Sequence, residues 1–274
     1  MCERCGVATT YPAPTDAELA AAYASWYRPQ SGRFAGGGDR VLAISRATLA
    51  RRIDRVTPAG PLLDVGCGDG ALLRALRARG REAVGLERTA NPGEGIIARD
   101  ITDFDERAGE WAGAIFWHSL EHLAEPAAAI DRAVALLAPG GVLAVAVPNR
   151  DSWQARAFAD HWFHLDLPRH LVHLPASALV DGLTARGLTV TRVSHWRAGQ
   201  IVFGWLQGIV GLAPGRPDLY SAIRRPEAQD TPTAGRRRAA VLATAATLTP
   251  LAAALSAAEI AARAGGTVYV EARR

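Results

Sequence analysis

The sequence lacks lysine altogether, and all 31 of its basic residues are arginine. Without a side-chain primary amine, the chain cannot form a lysine Schiff base, attach pyridoxal phosphate or supply the lysine of a phosphate-binding P-loop. Cysteine is also scarce, at three residues in 274, which disfavours a disulfide framework and favours a reducing compartment. Residues 1–5 do not form the apolar segment of a secretory signal, so we expect a cytoplasmic protein.

The chain length fits one large α/β domain with appendages better than two complete domains. The formal net charge is a mild +4, and the arginines are spread widely without an accompanying RNA-binding motif. The sequence therefore predicts no nucleic-acid partner.

A glycine-rich turn after a buried strand is the most informative local feature. The apolar run at 62–65 stops in a turn with glycine at 66, 68 and 70, and a helix pattern follows. Glycine allows the sharp backbone turn and leaves room for a ligand across the helix N-terminus. Two carboxylates, Asp64 and Asp69, disfavour a phosphate and favour a cationic or hydroxyl-bearing ligand. The candidate ligand-binding residues here are Asp64, Gly66, Cys67 and Gly68.

A second strand pattern follows about twenty residues later and ends in an acid, Glu87. In a βαβ unit an acid at this place accepts hydrogen bonds from ribose hydroxyls. Glu87 and its neighbour Arg88 are therefore candidate contacts to a nucleoside.

The strand predicted at 113–118 carries polar residues to its carboxyl end, the edge at which open α/β sheets bind ligands. There Glu121 and His122 form an adjacent acid and imidazole, a candidate pair for proton transfer. Three roles stay open for Glu121: orienting His122, holding a divalent metal, or capping the next helix. His118, the last residue of the strand, is a candidate cofactor contact.

Five segments occur in the order and spacing of a known family: LLDVGCGDG, VGLE, ARDITDF, WHSLEHLAEP and LAPGGVLAVAVPN, across residues 60–150. They resemble the successive motifs of class I S-adenosylmethionine-dependent methyltransferases. The resemblance implies a Rossmann-like seven-stranded sheet of order 3-2-1-4-5-7-6, with an antiparallel last strand at 266–273. It also implies S-adenosylmethionine as cofactor, with Asp100 on the adenine amine and Ile101 against the adenine ring.

The segment 160–173 contains four histidines and two aromatic residues, a composition that does not suggest protein core. It resembles the W-x-x-D-x-P-R-H-L segment beside the acceptor site in polysaccharide- and quinone-associated methyltransferases. The resemblance makes His170 a second candidate base and Arg169 a candidate anion contact. A metal set of His164, Asp166, His170 and His173 matches no defensible zinc spacing, so we predict no metal.

The N-terminal region predicts two small features. Cys2 and Cys5 form a C-x-x-C that resembles half of a zinc ribbon, but the other two ligands are missing. The helix predicted at 16–28 places Tyr23, Trp26 and Tyr27 on one side, which is typical of a packing face. The family resemblance implies the alternative, a lid over the cofactor or acceptor pocket. We divide the chain into residues 1–56 (C-x-x-C remnant and helical lid), 57–197 (cofactor-binding core), 198–264 (apolar helical insertion) and 265–274 (closing strand).

The insertion contains two apolar pieces, at 201–210 and 239–262. The second reaches membrane-spanning length, but it is mostly alanine, includes Pro250 and carries Glu259, so a true span is disfavoured. The arginines at 224–225 and 236–238 would suit anionic headgroups or a diphosphate if 201–262 touches the inner face of a membrane. A helical cap or a homodimer surface is the alternative.

The resemblance implies methyl transfer, at oxygen, to a small-molecule acceptor such as a glycan, a lipid-linked sugar or a quinone-like ring, with His122 or His170 as base. Sugar C-methyltransferases share the Glu-His element but add a tyrosine two residues before the Glu, where this chain has Ser119. A nucleotide-dependent dehydrogenase and a non-catalytic binding protein are the remaining alternatives.

Overall fold

The computed structural model describes residues 1–24, 34, 37–88, 95–196, 198–225 and 235–274. Its strands are β1 (Ala8–Thr9), β2 (Leu62–Val65), β3 (Ala83–Glu87), β4 (Ile96–Ala98), β5 (Trp111–Trp117), β6 (Leu137–Pro148), β7 (Val172–His173), β8 (Thr189–Ser194) and β9 (Thr267–Arg273). Its α-helices are α1 (Asp16–Ala24), α2 (Gly38–Val56), α3 (Ala71–Arg77), α4 (Pro126–Leu136), α5 (Trp153–Phe158), α6 (Ala176–Thr184), α7 (Ala198–Gly211), α8 (Leu219–Ile223) and α9 (Gly235–Ala261).

Seven strands form the central sheet in the order β4-β3-β2-β5-β6-β9-β8. All neighbours pair in parallel except β9, which runs antiparallel to both β6 and β8. Numbered within the sheet alone, this is the order 3-2-1-4-5-7-6 with an antiparallel last strand. The predicted fold is therefore confirmed.

Helices cover both faces of the sheet, which explains why β5 and β6 are almost continuously apolar. On one face α2 and α3 contribute buried side chains such as Ile53 and Leu73, and on the other α4 and α6 contribute Ile130 and Leu183. The parallel strands therefore end together at one exposed edge, and the turns after β2, β3 and β5 meet there.

The boundary between α4 and β6 differs from the prediction. The sequence pattern predicts a helix over 127–138 and a turn at Pro139-Gly140-Gly141, whereas α4 ends at Leu136 and β6 begins at Leu137. The reason is tertiary pairing: Leu137 pairs with Trp111 of β5, and the Gly140 amide donates to the Arg274 carbonyl. Sheet contacts from distant strands thus override the local turn signal.

The first residues of the chain are held against the segment that contains the predicted acceptor loop. β1 pairs antiparallel with β7, with Ala8 opposite His173 and Thr9 opposite Val172. The Thr10 hydroxyl donates to the His170 carbonyl at 2.6 Å. Cys2 and Cys5 are exposed free thiols, and the described residues gather no further zinc ligands beside them.

Helices α7, α8 and α9 lie between β8 and β9 in the chain and form a helical cap. Glu259 of α9 is fully buried and accepts hydrogen bonds from the Gln154 amide, the Gln154 side chain and the Trp205 indole at 2.9–3.1 Å. By length and composition, α9 qualifies among the described helices as a candidate membrane span, with a mean hydropathy of 1.6. Its one acidic residue, however, faces the protein and ties α5, α7 and α9 together.

Candidate active site

A cleft of about 1500 Å³ opens at the carboxyl edge of the sheet and continues towards the cap. The twelve predicted catalytic and cofactor-binding residues come from four turns and one loop, and all twelve line this cleft. They are Asp64, Gly66, Cys67, Gly68, Glu87, Arg88, Asp100, Ile101, His118, Glu121, His122 and His170.

The glycine turn has the backbone that its sequence predicts. Gly66, Gly68 and Gly70 have φ values of +73°, +59° and +72°, a region that side chains with a Cβ rarely adopt. Gly66 is also restricted by contact, because a Cβ there would lie 2.5 Å from the Cβ of Ser119. The Gly66 and Cys67 amides donate to the Leu86 carbonyl, which joins the turn to β3.

Asp64 is a buried carboxyl at the start of this turn, 2% exposed. Burial raises its pKa to about 7; Arg46 opposes the shift, while Glu87 and Asp69 add to it. A carboxyl in this position is stabilised in its ionised form by a cation placed beside it. The site thus has the electrostatic character expected for a positively charged ligand.

Glu87 holds the turn through both of its oxygens. Oε2 accepts from the Gly68 amide and Oε1 from the Arg88 amide, each at 3.0 Å. Each carboxylate oxygen has a further lone pair, so the group can also accept from hydroxyls in the cleft. The Arg88 guanidinium donates to the His122 carbonyl at 2.7 Å and thereby links this turn to the turn after β5.

Asp100 and Ile101 form the third turn. One oxygen of Asp100, Oδ1, accepts from the Thr102 amide and the Thr102 hydroxyl at 3.0 and 2.9 Å. The carboxyl therefore caps a short helical turn and keeps its second oxygen for another donor. Ile101 is 1% exposed, and it supplies an apolar surface at the cleft.

Glu121 is the centre of the second half of the site. It is 2% exposed, and neither carboxylate oxygen has a hydrogen-bond partner among the described residues. The His118 Nδ1 and the His170 Nε2 lie 3.4 and 4.0 Å from its Oε1. Burial raises the pKa of Glu121, and the nearby His170 and His122 rings oppose that shift. Helix capping is not its role, since α4 has no side-chain cap.

His122 lies next to Tyr23 of α1 as well as to Glu121. Its Nδ1 is 2.9 Å from the Tyr23 hydroxyl and 3.1 Å from the Arg169 carbonyl. Because a carbonyl can only accept, this environment favours a proton on Nδ1 and makes Nε2 the acceptor nitrogen of the ring. Burial lowers the pKa of His122 to about 4, so the ring is neutral near neutral pH and can accept a proton. Trp26 and Tyr27 lie outside the described residues.

The expectation that the histidine loop is unlike core is wrong for most of its histidines. His164, His170 and His173 are buried, each 9% exposed or less. His170 is in the cleft, with its ring centroid 4.6 Å from that of His122 and its Nδ1 2.8 Å from the His164 carbonyl. His173 instead lies in β7, with Nε2 3.2 Å from the Thr10 hydroxyl. A backbone carbonyl and the Thr10 hydroxyl are hydrogen-bond partners of the His170 and His173 rings, which lowers the cost of burying them.

The Arg169 guanidinium is already paired with a carboxylate of the protein, which disfavours the predicted contact to an anion. Its guanidinium pairs with both oxygens of Asp166 and donates to the Ala22 carbonyl at 3.3 Å. The residue therefore connects the histidine loop to α1, and its charge is balanced by Asp166.

An aromatic wall that sequence reasoning missed lines the far end of the cleft. It consists of Phe34, Phe163, Phe203 and Tyr220, whose ring centroids lie 5.2–6.2 Å apart. Phe203 belongs to α7 and Tyr220 to α8, so the cap supplies half of this wall. No local motif joins residues from four separated segments, although the aromatic residues of the insertion were a signal that it faces a pocket.

A metal can also be considered at this site. One ligand atom each from Glu121, His122 and His170 fall within 4.8 Å of one another. Two imidazole nitrogens and a carboxylate oxygen form a donor set that suits divalent transition metals. The four-residue set weighed from the sequence is not gathered, because His173 faces Thr10. The site thus offers a different set of three candidate ligands, which shares only His170 with the earlier one.

The seven-stranded topology, the glycine turn and the acid at the end of β3 define a class I methyltransferase core. Its cleft fits the cofactor of that class, S-adenosylmethionine, on two observations: the crowded glycine at 66 and the buried carboxyl of Asp64. The first leaves room that a Cβ would fill, and the second favours a cationic ligand.

Comparison with known proteins gives the family. A family model described as a methyltransferase domain matches residues 41–193, more than half of the chain. The chain therefore belongs to the S-adenosylmethionine-dependent methyltransferase family. A methyltransferase structure from Archaeoglobus fulgidus, 14% identical, covers 84% of this chain and 93% of its own with a TM-score of 0.53, which supports the fold.

Two curated relatives are similar over part of their length. A ubiquinone biosynthesis O-methyltransferase of Psychrobacter arcticus is 30% identical over 33% of this chain and 41% of its own. A dTDP-3-amino-3,6-dideoxy-alpha-D-glucopyranose N,N-dimethyltransferase of Streptomyces fradiae is 33% identical over 54% of this chain and 56% of its own. The chain thus spans about half the length of these relatives.

Proposed function

We propose that this protein methylates an oxygen of a ring-shaped small molecule, with S-adenosylmethionine as methyl donor. The observation that carries the proposal is the continuity of one cleft. It joins the glycine turn, the Glu121–His122–His170 cluster and the aromatic wall, so donor, proton acceptor and acceptor ring can meet in a single space.

The cofactor half is assigned to Asp64, Glu87 and the amides of the glycine turn. The Asp64 carboxyl suits the cationic part of the cofactor, and the Glu87 carboxylate suits the ribose hydroxyls. The second oxygen of Asp100 and the buried face of Ile101 suit the adenine. When bound, S-adenosylmethionine supplies an electrophilic methyl group, and the acceptor hydroxyl that receives it must lose its proton.

His122 is our candidate for the base that takes that proton. With Nδ1 directed at the Arg169 carbonyl, Nε2 is the ring nitrogen that can accept a proton, and the depressed pKa keeps the ring neutral. Once protonated, the ring is stabilised by Glu121 beside it. His170 is the alternative base. The His164 carbonyl favours a proton on its Nδ1, so its Nε2 is the nitrogen that would accept a proton.

The aromatic wall favours an acceptor with a flat apolar ring or the apolar face of a sugar. One named relative takes part in ubiquinone biosynthesis, and the other methylates a dTDP-linked amino sugar. A quinone-like ring and a sugar ring are both compatible with this wall. Methylation at carbon is less well supported. Sugar C-methyltransferases have a tyrosine two residues before the Glu, whereas this chain has Ser119, which is buried and donates its hydroxyl to the Val65 carbonyl at 2.5 Å.

The test has a binding arm and a turnover arm. Calorimetry with S-adenosylmethionine should show binding that Asp64→Ala and Glu87→Ala abolish. A panel of hydroxylated phenols and sugars is then screened for S-adenosylhomocysteine release. For an active acceptor, His122→Gln should keep cofactor affinity and lower kcat by about 10²–10⁴-fold, the usual contribution of a general base.

His161→Gln is the matched control, since His161 belongs to the histidine loop, is not among the residues that line the cleft, and has 37% of its side chain exposed. It should leave both binding and turnover unchanged. Binding of S-adenosylmethionine that survives both cofactor-site substitutions would contradict the assignment, as would full turnover by the His122 variant.

A further inference from the structure

The outward face of α9 has the composition of a surface that is not exposed to bulk water. Residues 239–258 contain no charged side chain, although 21% of the whole chain is charged. Surface helices normally place charged residues on their outer face. Here that face presents alanine, threonine and Pro250. Leu242 and Leu251, at 37% and 50% exposure, lie at its two opposite borders, because positions nine apart are about 180° apart around the helix.

Two of the three threonine hydroxyls in 239–258 form hydrogen bonds within the helix. The Thr247 hydroxyl donates to the Ala243 carbonyl at 3.1 Å, and the Thr249 hydroxyl donates to the Ala245 carbonyl at 2.9 Å. Hydroxyls bonded back to their own helix need no water and can enter an apolar environment at low cost. These two hydroxyls therefore do not prevent the face from entering an apolar environment.

The inward face holds α9 to the protein. Val241, Ala245 and Ala252 are buried in the cap, and Glu259 accepts three hydrogen bonds from Gln154 and Trp205. Crossing a bilayer would remove the partners of this carboxyl, whose exposure to lipid is costly. A position along the surface of a membrane keeps all of them.

Arginines at both ends of the face indicate the charge of the partner. Arg236 and Arg237 are exposed at the N-terminus of α9, and Arg263 is exposed just beyond its C-terminus. In an antiparallel pair of α9 helices, Arg236 and Arg237 of one copy would lie opposite Arg263 of the other. In a parallel pair, Arg236 and Arg237 would lie opposite the same residues of the second copy. Like charges at both ends disfavour a symmetric dimer and favour an anionic partner.

We propose that α9 docks this protein along an anionic membrane surface, with its charge-free face against the lipid and Arg236, Arg237 and Arg263 against the headgroups. The charge-free stretch is long enough for such a contact, since residues 239–258 extend for about 30 Å of helix. Apolar area and electrostatic attraction contribute together in binding of this kind.

The test is sedimentation of the full chain with vesicles of phosphatidylcholine alone and of phosphatidylcholine mixed with phosphatidylglycerol. Binding should require the anionic lipid and should weaken at high salt. The Arg236→Glu/Arg237→Glu double variant should bind about tenfold or more weakly, because each basic residue near the surface contributes appreciably. Leu251→Glu should weaken binding as well.

Matched controls separate docking from general effects. Arg51→Glu/Arg55→Glu changes the same charge on exposed α2 positions, and Val193→Glu changes an apolar residue of 45% exposure on β8. Both should bind as the parent does, and circular dichroism should show all variants folded.

Three results would overturn the proposal. The first is that the folded parent does not sediment with the anionic vesicles. A dimer in solution that Leu251→Glu disperses would assign the face to a second copy, and resistance to alkaline carbonate extraction would indicate a span. None of these results depends on methyl transfer, so the two proposals can fail independently.

Discussion

The buried carboxyl of Asp64 predicts that the ligand-free protein loses stability as the pH rises. Burial raises the pKa of Asp64 from 3.8 to about 7, whereas the unfolded chain keeps the ordinary value. Between these two values the folded state binds more protons than the unfolded state, so the free energy of unfolding falls with increasing pH. The contribution of Asp64 is fully present below about pH 4 and is lost once the pH passes about 7.

The magnitude follows from the size of the shift. Three pKa units at about 1.4 kcal/mol per unit give about 4 kcal/mol over the whole window. Between about pH 5 and pH 8, roughly two of these units are traversed, so about 3 kcal/mol is lost. Asp64→Asn removes the titration with little change of shape. Its stability relative to the parent should therefore increase by that amount over the same interval.

Urea unfolding of the parent and Asp64→Asn at both pH values measures this difference, and comparing the two proteins removes the contributions of other titrating groups. Saturating S-adenosylmethionine should stabilise the parent more than the variant at the higher pH, because a cation beside Asp64 favours its ionised form. A stability difference that does not change with pH would refute the reasoning, since Asp64 would then titrate alike in both states.

Three further substitutions test other parts of the site and the cap. Gly66→Ala should lower the melting temperature and weaken cofactor binding in calorimetry, because an alanine at φ +73° costs about 1–2 kcal/mol and its Cβ would meet Ser119. Glu259→Ala should cost about 3 kcal/mol in urea unfolding, because it leaves buried donors without an acceptor. Tyr23→Phe should lower kcat about tenfold with cofactor affinity unchanged, because the base His122 loses one hydrogen-bond partner worth about 1 kcal/mol.

Local sequence predicted the cofactor half of the cleft because its geometry is set by short stretches of chain. The glycine turn needs only the φ angles that glycine allows. Asp64 and Glu87 lie at the ends of neighbouring parallel strands, and the carboxyl ends of parallel strands meet at one edge of the sheet. Their strand positions alone therefore predict that the two acids lie close together. The predicted residues of this half all line the cleft, while their roles toward the cofactor stay predictions.

The acceptor half depends on contacts between distant segments, and sequence reasoning described it less well. Tyr23 and His122 are 99 residues apart in the chain, and no periodicity links them. Arg169 was expected to face an anion, but Asp166 neutralises it. Burial of His164 and His170 likewise requires carbonyls and carboxyls that only the folded chain brings near. Partners of this kind are determined by packing, which a single sequence does not display.

Helix α7 connects the two proposals physically. Phe203 and Trp205 are two positions apart, which corresponds to about 200° around an α-helix. Phe203 therefore faces the aromatic wall of the cleft, while the Trp205 indole donates to Glu259 of α9. If a membrane surface displaced α9, the displacement would pass to α7 through this buried hydrogen bond and the packing around it. Because Phe203 of α7 belongs to the aromatic wall, the wall would move as well. Lipid binding should consequently change the affinity for the acceptor more than the affinity for S-adenosylmethionine, whose predicted ligands lie on the turns of the sheet.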